Sequence, residues 1–92
     1  CIVDDGSRDD TYDIAFDLSL EDHRIRVQKQ MHSGCAVARN HCLEISTGEL
    51  IARQDADDLQ HARRLEKQID YLLAQQSIDV VSCGMRYINA EG

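Results

Sequence analysis

Tryptophan is absent from this chain and phenylalanine occurs once, so aromatic residues make up only 4% of the sequence. A core without large rings must rest on Ile, Val, Leu, Ala and Cys, and each of these brings less buried area than an aromatic side chain. With 92 residues, the chain also buries a smaller share of its surface than a typical enzyme domain, which leaves room for one small core of marginal stability. Basic residues are in deficit too. Ten Lys and Arg stand against 17 Asp and Glu, for a formal charge of −7. Nucleic acid and anionic lipid are held by an excess of Lys and Arg, so this balance disfavours nonspecific contact with either. No apolar run approaches the ~20 residues of a membrane span, and no stretch reads as a signal peptide, so a soluble segment is expected. There is no proline, and therefore no proline-rich linker. Internal repeats and low-complexity tracts are also lacking, and a single domain is expected over residues 1–92.

Cysteine is present but not in a ligand pattern. Cys1, Cys35, Cys42 and Cys83 are too widely spaced for paired CxxC knuckles, and three sit among apolar neighbours, where Cys packs as a small hydrophobe. Reduced thiols in a cytosolic setting are the expectation. The sequence opens on Cys1-Ile2-Val3, which reads as the end of a buried strand, and closes on the turn-like Asn89-Ala90-Glu91-Gly92. Both ends are expected to continue, making the chain part of a longer protein.

Hydrophobic periodicity gives the order of elements. Residues 1–3 form a short apolar run followed by Asp4-Asp5-Gly6-Ser7, turn chemistry at the carboxyl end of a predicted strand. Ligands of open α/β sheets collect at that edge. A helix is predicted over about 10–18, where Ile14 and Leu18 stand one turn apart beside Tyr12 and Ala15. Residues 24–28 alternate as a half-buried strand would, and the polar stretch 29–34 ends it. Ser33 is positioned to cap a helix whose apolar side carries Ala36, Ala38, Cys42, Leu43 and Ile45, before Thr47-Gly48 stops it. A third strand is predicted at 49–53, leading into Gln54-Asp55-Ala56-Asp57-Asp58. From His61 onward, Leu65, Ile69, Leu72 and Leu73 recur at helical spacing, with Arg63, Arg64, Lys67 and Gln68 on the wet side. Residues 78–83 and 85–88 read as extended segments around Gly84. Strands and helices thus alternate with short connections, the pattern of an α/β fold with a mostly parallel sheet and flanking helices.

The acids are the chemistry-bearing residues. On an extended backbone, Asp55-Ala56-Asp57 would place two carboxylates on one side, because side chains alternate. Mg²⁺ and Mn²⁺ take one or two carboxylates from protein, with phosphate oxygens and water in the remaining positions, so a diphosphate is the natural partner. The alternative is that Asp57 or Asp58 caps the following helix. A calcium loop is excluded, because Leu59 and Gln60 stand where that loop needs an oxygen ligand and a glycine. Asp4-Asp5-Gly6-Ser7 offers acceptors for the imide N–H of a uracil or for ribose hydroxyls, with Gly allowing close approach; an ordinary Asp-Gly turn is the alternative. Arg39 could reach phosphate or lie on an exposed helix face. His23, His32, His41 and His61 share no metal-like spacing and receive no role. No nucleophile signature or Walker-type phosphate loop supports a hydrolase or kinase reading.

Five blocks in order carry a resemblance. Ile2-Val3-Asp4-Asp5-Gly6-Ser7, Ala36-Val37-Ala38-Arg39-Asn40, Gly48-Glu49-Leu50-Ile51-Ala52, Asp55-Ala56-Asp57-Asp58 and Arg64-Leu65-Glu66-Lys67-Gln68 resemble family 2 glycosyltransferases over nearly the whole chain. The resemblance implies an incomplete Rossmann-like GT-A fold that binds a nucleotide-diphospho-sugar, by family frequency a UDP-sugar. It implies that Asp4 and Asp5 contact base or ribose, with Arg39 near the donor. Asp55-Ala56-Asp57 matches the family's DxD motif, in which Asp57 ligates Mn²⁺ or Mg²⁺ and Asp55 positions ribose or joins the metal. The implied reaction is inverting transfer to a glycan or lipid-linked acceptor, typically in polysaccharide or cell-wall assembly by a cytoplasmic enzyme that can associate with membrane. The family's opening P-x-Y-N strand and its general base have no counterpart in this sequence, so the isolated chain is expected to be inactive. Two other readings fit the same residues: a noncatalytic nucleotide-binding or interaction module, and a structural fragment whose acids only cap helices.

Overall fold

A computed structural model describes residues 1–89. It divides the chain into two compact units, Cys1–Ile51 and a second beginning at Ala52. The first holds β1 (Ile2–Asp4), α1 (Thr11–Glu21), β2 (Val27–Lys29) and α2 (Cys35–Ile45); the second holds α3 (Arg64–Ala74). β1 and β2 pair in parallel, with Ile2 opposite Val27, Val3 opposite Gln28 and Asp4 opposite Lys29. Two parallel strands joined through a helix make the βαβ unit expected of an α/β chain.

α1 packs against both strands and α2 against β1. Ala15, at 7% exposure, is the one buried apolar residue among those described, and its small side chain lets α1 lie close to the sheet. Tyr12 and Phe16, one turn apart, stack with ring centroids 6.0 Å apart. The Lys29 ammonium of β2 sits 4.9 Å from the Tyr12 ring centroid, a cation–π contact tying helix to strand. At the far end of α2, Arg26 Nη1 donates to the Ile45 carbonyl at 2.9 Å, placing a cation where the helix dipole is negative.

The helices fall close to their predicted places, and the strands differ. α1 runs to Glu21, three residues past the expected Leu18. β2 begins at Val27 rather than Arg24, because the Asp22 carbonyl accepts from the Ile25 N–H at 2.9 Å and the Asp22 carboxylate grips Arg24 through its main chain and guanidinium. That local turn consumes residues whose alternation looked extended. Ser33 does not cap α2: its hydroxyl donates to the Met31 carbonyl at 2.7 Å, and Gly34 takes the cap position. The extended segments expected at 49–53, 78–83 and 85–88 form no strand among the described residues. An extended pattern becomes a strand only where a neighbouring backbone completes the ladder, and the sheet described here has two strands. Of the turn expected at Asn89-Ala90-Glu91-Gly92, all but Asn89 lies outside the described residues. Among the described residues, no helix is long and apolar enough to cross a membrane.

Candidate functional site

In the first unit the site is built at the carboxyl end of β1. Asp4 closes the strand with its side chain only 1% exposed. Its two oxygens accept from the Ser7 N–H at 3.3 and 3.2 Å, and Lys29 Nζ, from the opposite register position, lies 3.9 Å away. A buried carboxylate needs such partners, since an unpaired buried charge is costly. Gly6 between them adopts φ +82, and a Cβ there would lie 2.9 Å from the His32 backbone nitrogen. Only glycine meets both conditions.

Asp5 collects the residues that follow β2. Its Oδ1 accepts from Gln30 Nε2 at 2.7 Å and from the Ser33 N–H at 2.8 Å. Its Oδ2 accepts from the Gly34 N–H at 2.9 Å and lies 3.0 Å from His32 Nδ1. The Gln30 amide first, then the Ser33 N–H, lower its pKa below the ordinary value despite some lost hydration; the Gly34 N–H and the His32 charge add to this. Asp5 therefore anchors the segment that leads into α2 through the Ser33 and Gly34 N–H groups, while α2 itself has no side-chain cap. Gln30 is braced in turn. Its main-chain N–H donates to the Asp4 carbonyl at 2.9 Å, and its Oε1 faces His41 Nδ1 at 3.0 Å. Arg39 lies on the same helix as His41, with an exposed side chain.

Asp55 and Asp57 belong to the second unit. The backbone there is a turn, closed by the Asp58 N–H donating to the Asp55 carbonyl at 3.2 Å. Strand alternation therefore does not set the direction of the two carboxylates, contrary to the extended geometry expected. Asp55 is clasped by Arg53, whose Nη2 reaches both oxygens at 3.1 and 3.0 Å, and Gln54 Nε2 staples the turn by donating to the Asp55 and Asp58 carbonyls. Asp57 is exposed. The helix-capping alternative fails for both Asp57 and Asp58: α3 starts at Arg64, its N-cap is Arg63, and no side chain caps it. Among the described residues no group of three or more His, Cys, Asp or Glu converges as a cation cage.

Sequence reasoning missed Gln30, His32 and Gly34. They stand 25 to 29 residues from Asp5, and only the parallel register brings them there. With Asp4 opposite Lys29, whatever follows Lys29 must meet whatever follows Asp4, a signal visible once the pairing is known.

Comparison with known proteins gives the same direction. Glycosyl transferase family 2 matches residues 1–92. The chain is 41% identical over 86 residues to "Putative glycosyltransferase EpsE" of Bacillus subtilis, covering 91% of this chain and 31% of that protein. It is 34% identical over 90 residues to "Succinoglycan biosynthesis protein ExoU" of Rhizobium meliloti, covering 97% of this chain and 25% of that protein. It is 30% identical over 95 residues to "Bifunctional glycosyltransferase pgtA" of Dictyostelium discoideum, covering 96% of this chain and 12% of that protein. The chain thus spans less than a third of the length of these relatives. No solved structure matches it. With a match that runs from the first residue to the last, through Asp4 at the end of β1 and Asp5 just after it, the chain belongs to glycosyl transferase family 2.

Proposed function

We propose that this chain is the donor-binding portion of a glycosyltransferase that takes its sugar from a nucleotide diphosphate, by preference a UDP-sugar. The observation that carries the reading is the placement of Asp4 and Asp5 at the carboxyl end of a parallel strand, the edge where α/β folds collect ligands. Asp5 offers acceptors to base and ribose, above Asp4, whose buried carboxylate holds the turn that presents it; Arg39 offers a cation to phosphate, and Asp55 serves ribose or metal. Asp57, an exposed carboxylate, is the leading ligand for Mn²⁺ or Mg²⁺, with Asp55 beside it once Arg53 yields part of its clasp. The cation, when bound, offsets the charge of the departing diphosphate.

Transfer proceeds with inversion to a glycan or lipid-linked acceptor, in polysaccharide assembly at the cytoplasmic side of a membrane. Deprotonating the acceptor hydroxyl requires a carboxylate base, which this reading assigns to a segment beyond the present chain. Alone, the chain binds donor and does not transfer. Calorimetric titration with UDP, with and without Mn²⁺, tests this. Binding that needs both Mn²⁺ and Asp57 is expected, and Asp57→Asn should weaken it at least tenfold, as loss of a metal ligand does. A folded chain that binds no UDP under any condition overturns the reading.

A further inference from the structure

The donors around Asp5 differ in how firmly they are held. Ser33 and Gly34 donate from the backbone at the start of α2, and Gln30 is fixed by its own main-chain bond and by His41. A carboxylate has about four lone-pair sites. Those three donors fill three of them, and His32 stands at the fourth, its Nδ1 3.0 Å from Oδ2. The same nitrogen lies 3.1 Å from the Asp5 carbonyl. Both neighbours are acceptors, so Nδ1 carries the proton. The His32 side chain is 82% exposed, and an exposed side chain changes rotamer quickly. Gly6 packs directly against the His32 backbone, where a Cβ would stand 2.9 Å from the His32 nitrogen, so the backbone is held close while the exposed ring remains free to turn.

We propose that His32 is a base-subsite residue that occupies the donor's place on Asp5 in the free chain and swings away when the base arrives. The inference rests on the donor-site reading above. An imidazole and a uracil are both flat rings presenting one in-plane N–H, so the carboxylate accepts either at the same lone pair. The ring keeps Asp5 oriented and hydrogen-bonded while no nucleotide is bound, and a nucleotide must displace it. Apparent affinity is then reduced by the fraction of time the ring holds the site.

The test is calorimetry on the full chain with Mn²⁺ present, comparing the unmodified protein with His32→Ala and using UDP and inorganic pyrophosphate as probes. Circular dichroism checks that both proteins keep their helices. The expected result is UDP binding about 3- to 10-fold tighter in His32→Ala, as for a site otherwise blocked most of the time, with pyrophosphate affinity unchanged because it lacks a base. Equal UDP affinity in the two proteins overturns the role of His32 and leaves the donor site standing. Weaker UDP binding by the variant makes His32 a direct contact and overturns displacement. Tighter pyrophosphate binding places the effect on the phosphates and overturns the base subsite. Failure of both proteins to bind UDP overturns the donor-site reading and this inference with it.

Discussion

At the scale of single residues, the Asp5 carboxylate joins the carboxyl end of β1 to the start of α2. Asp5→Ala should therefore release the Ser33 and Gly34 amides, read as severalfold faster hydrogen exchange at those two positions and little change in α1. The same bonds lower the Asp5 pKa. A carboxylate with a lowered folded pKa contributes stability at and above its ordinary value of 3.8, and that contribution is lost as pH falls through the lowered value. Acid should thus loosen the start of α2 only below the usual carboxylate range, visible in the pH dependence of the same two amides. Asp22, held down to about 2 first by the Arg24 side chain and then by its N–H, should titrate near that value by NMR, and Arg24→Ala should raise it. Gly6 makes a sharper case. With φ +82 and a Cβ position 2.9 Å from the His32 nitrogen, Gly6→Ala should cost about 2 kcal/mol in urea denaturation, from left-handed strain plus the clash.

At the scale of elements, the helices were legible in the sequence and most of the strands were not. Leu65, Ile69 and Leu72 mark α3 because helical spacing is a property of the segment itself. Residues 49–53 carry an extended pattern and form no strand, since a ladder depends on a partner backbone that local sequence does not name. The site divides along the same line. Asp4-Asp5-Gly6-Ser7 was readable as a turn because its bonds close within a few residues, whereas the Gln30 and His32 contacts required the register. The turn at Asp55 defeated the alternation argument for a similar reason: Gln54 and Arg53 hold it through side chains that no strand pattern anticipates. Packing gives a direct test. Ala15 is the tight point between α1 and the sheet, so Ala15→Leu should overpack it and destabilise by about 1–3 kcal/mol. Leu20→Ala on the same helix, where the side chain is 71% exposed, should stay within ~0.5 kcal/mol by the same urea measurement.

At the scale of the molecule, the described residues bury one apolar side chain and one carboxylate, so ligand binding should be a large fraction of total stability. If the donor reading holds, UDP with Mn²⁺ at about 100 times Kd adds ~2.7 kcal/mol by mass action. The thermal midpoint should rise accordingly and fall back when EDTA removes the metal. The parallel register sets a further limit, on chain length. The connection from α1 to β2 is a tight turn, with Ile25 bonded back to Asp22, so it has no slack to absorb an added residue. One residue inserted between Asp22 and Ile25 must either break that turn or slide β2 by a position, and in a strand each such step turns every side chain to the opposite face. The slide would put Gln28 rather than Lys29 opposite Asp4, strip the buried carboxylate of its cation and carry Gln30 away from Asp5. Through residues 22–26, single-residue insertions and deletions should be purged far more strongly than substitutions, because parity of spacing, more than the identity of the side chains, keeps the two acids in place.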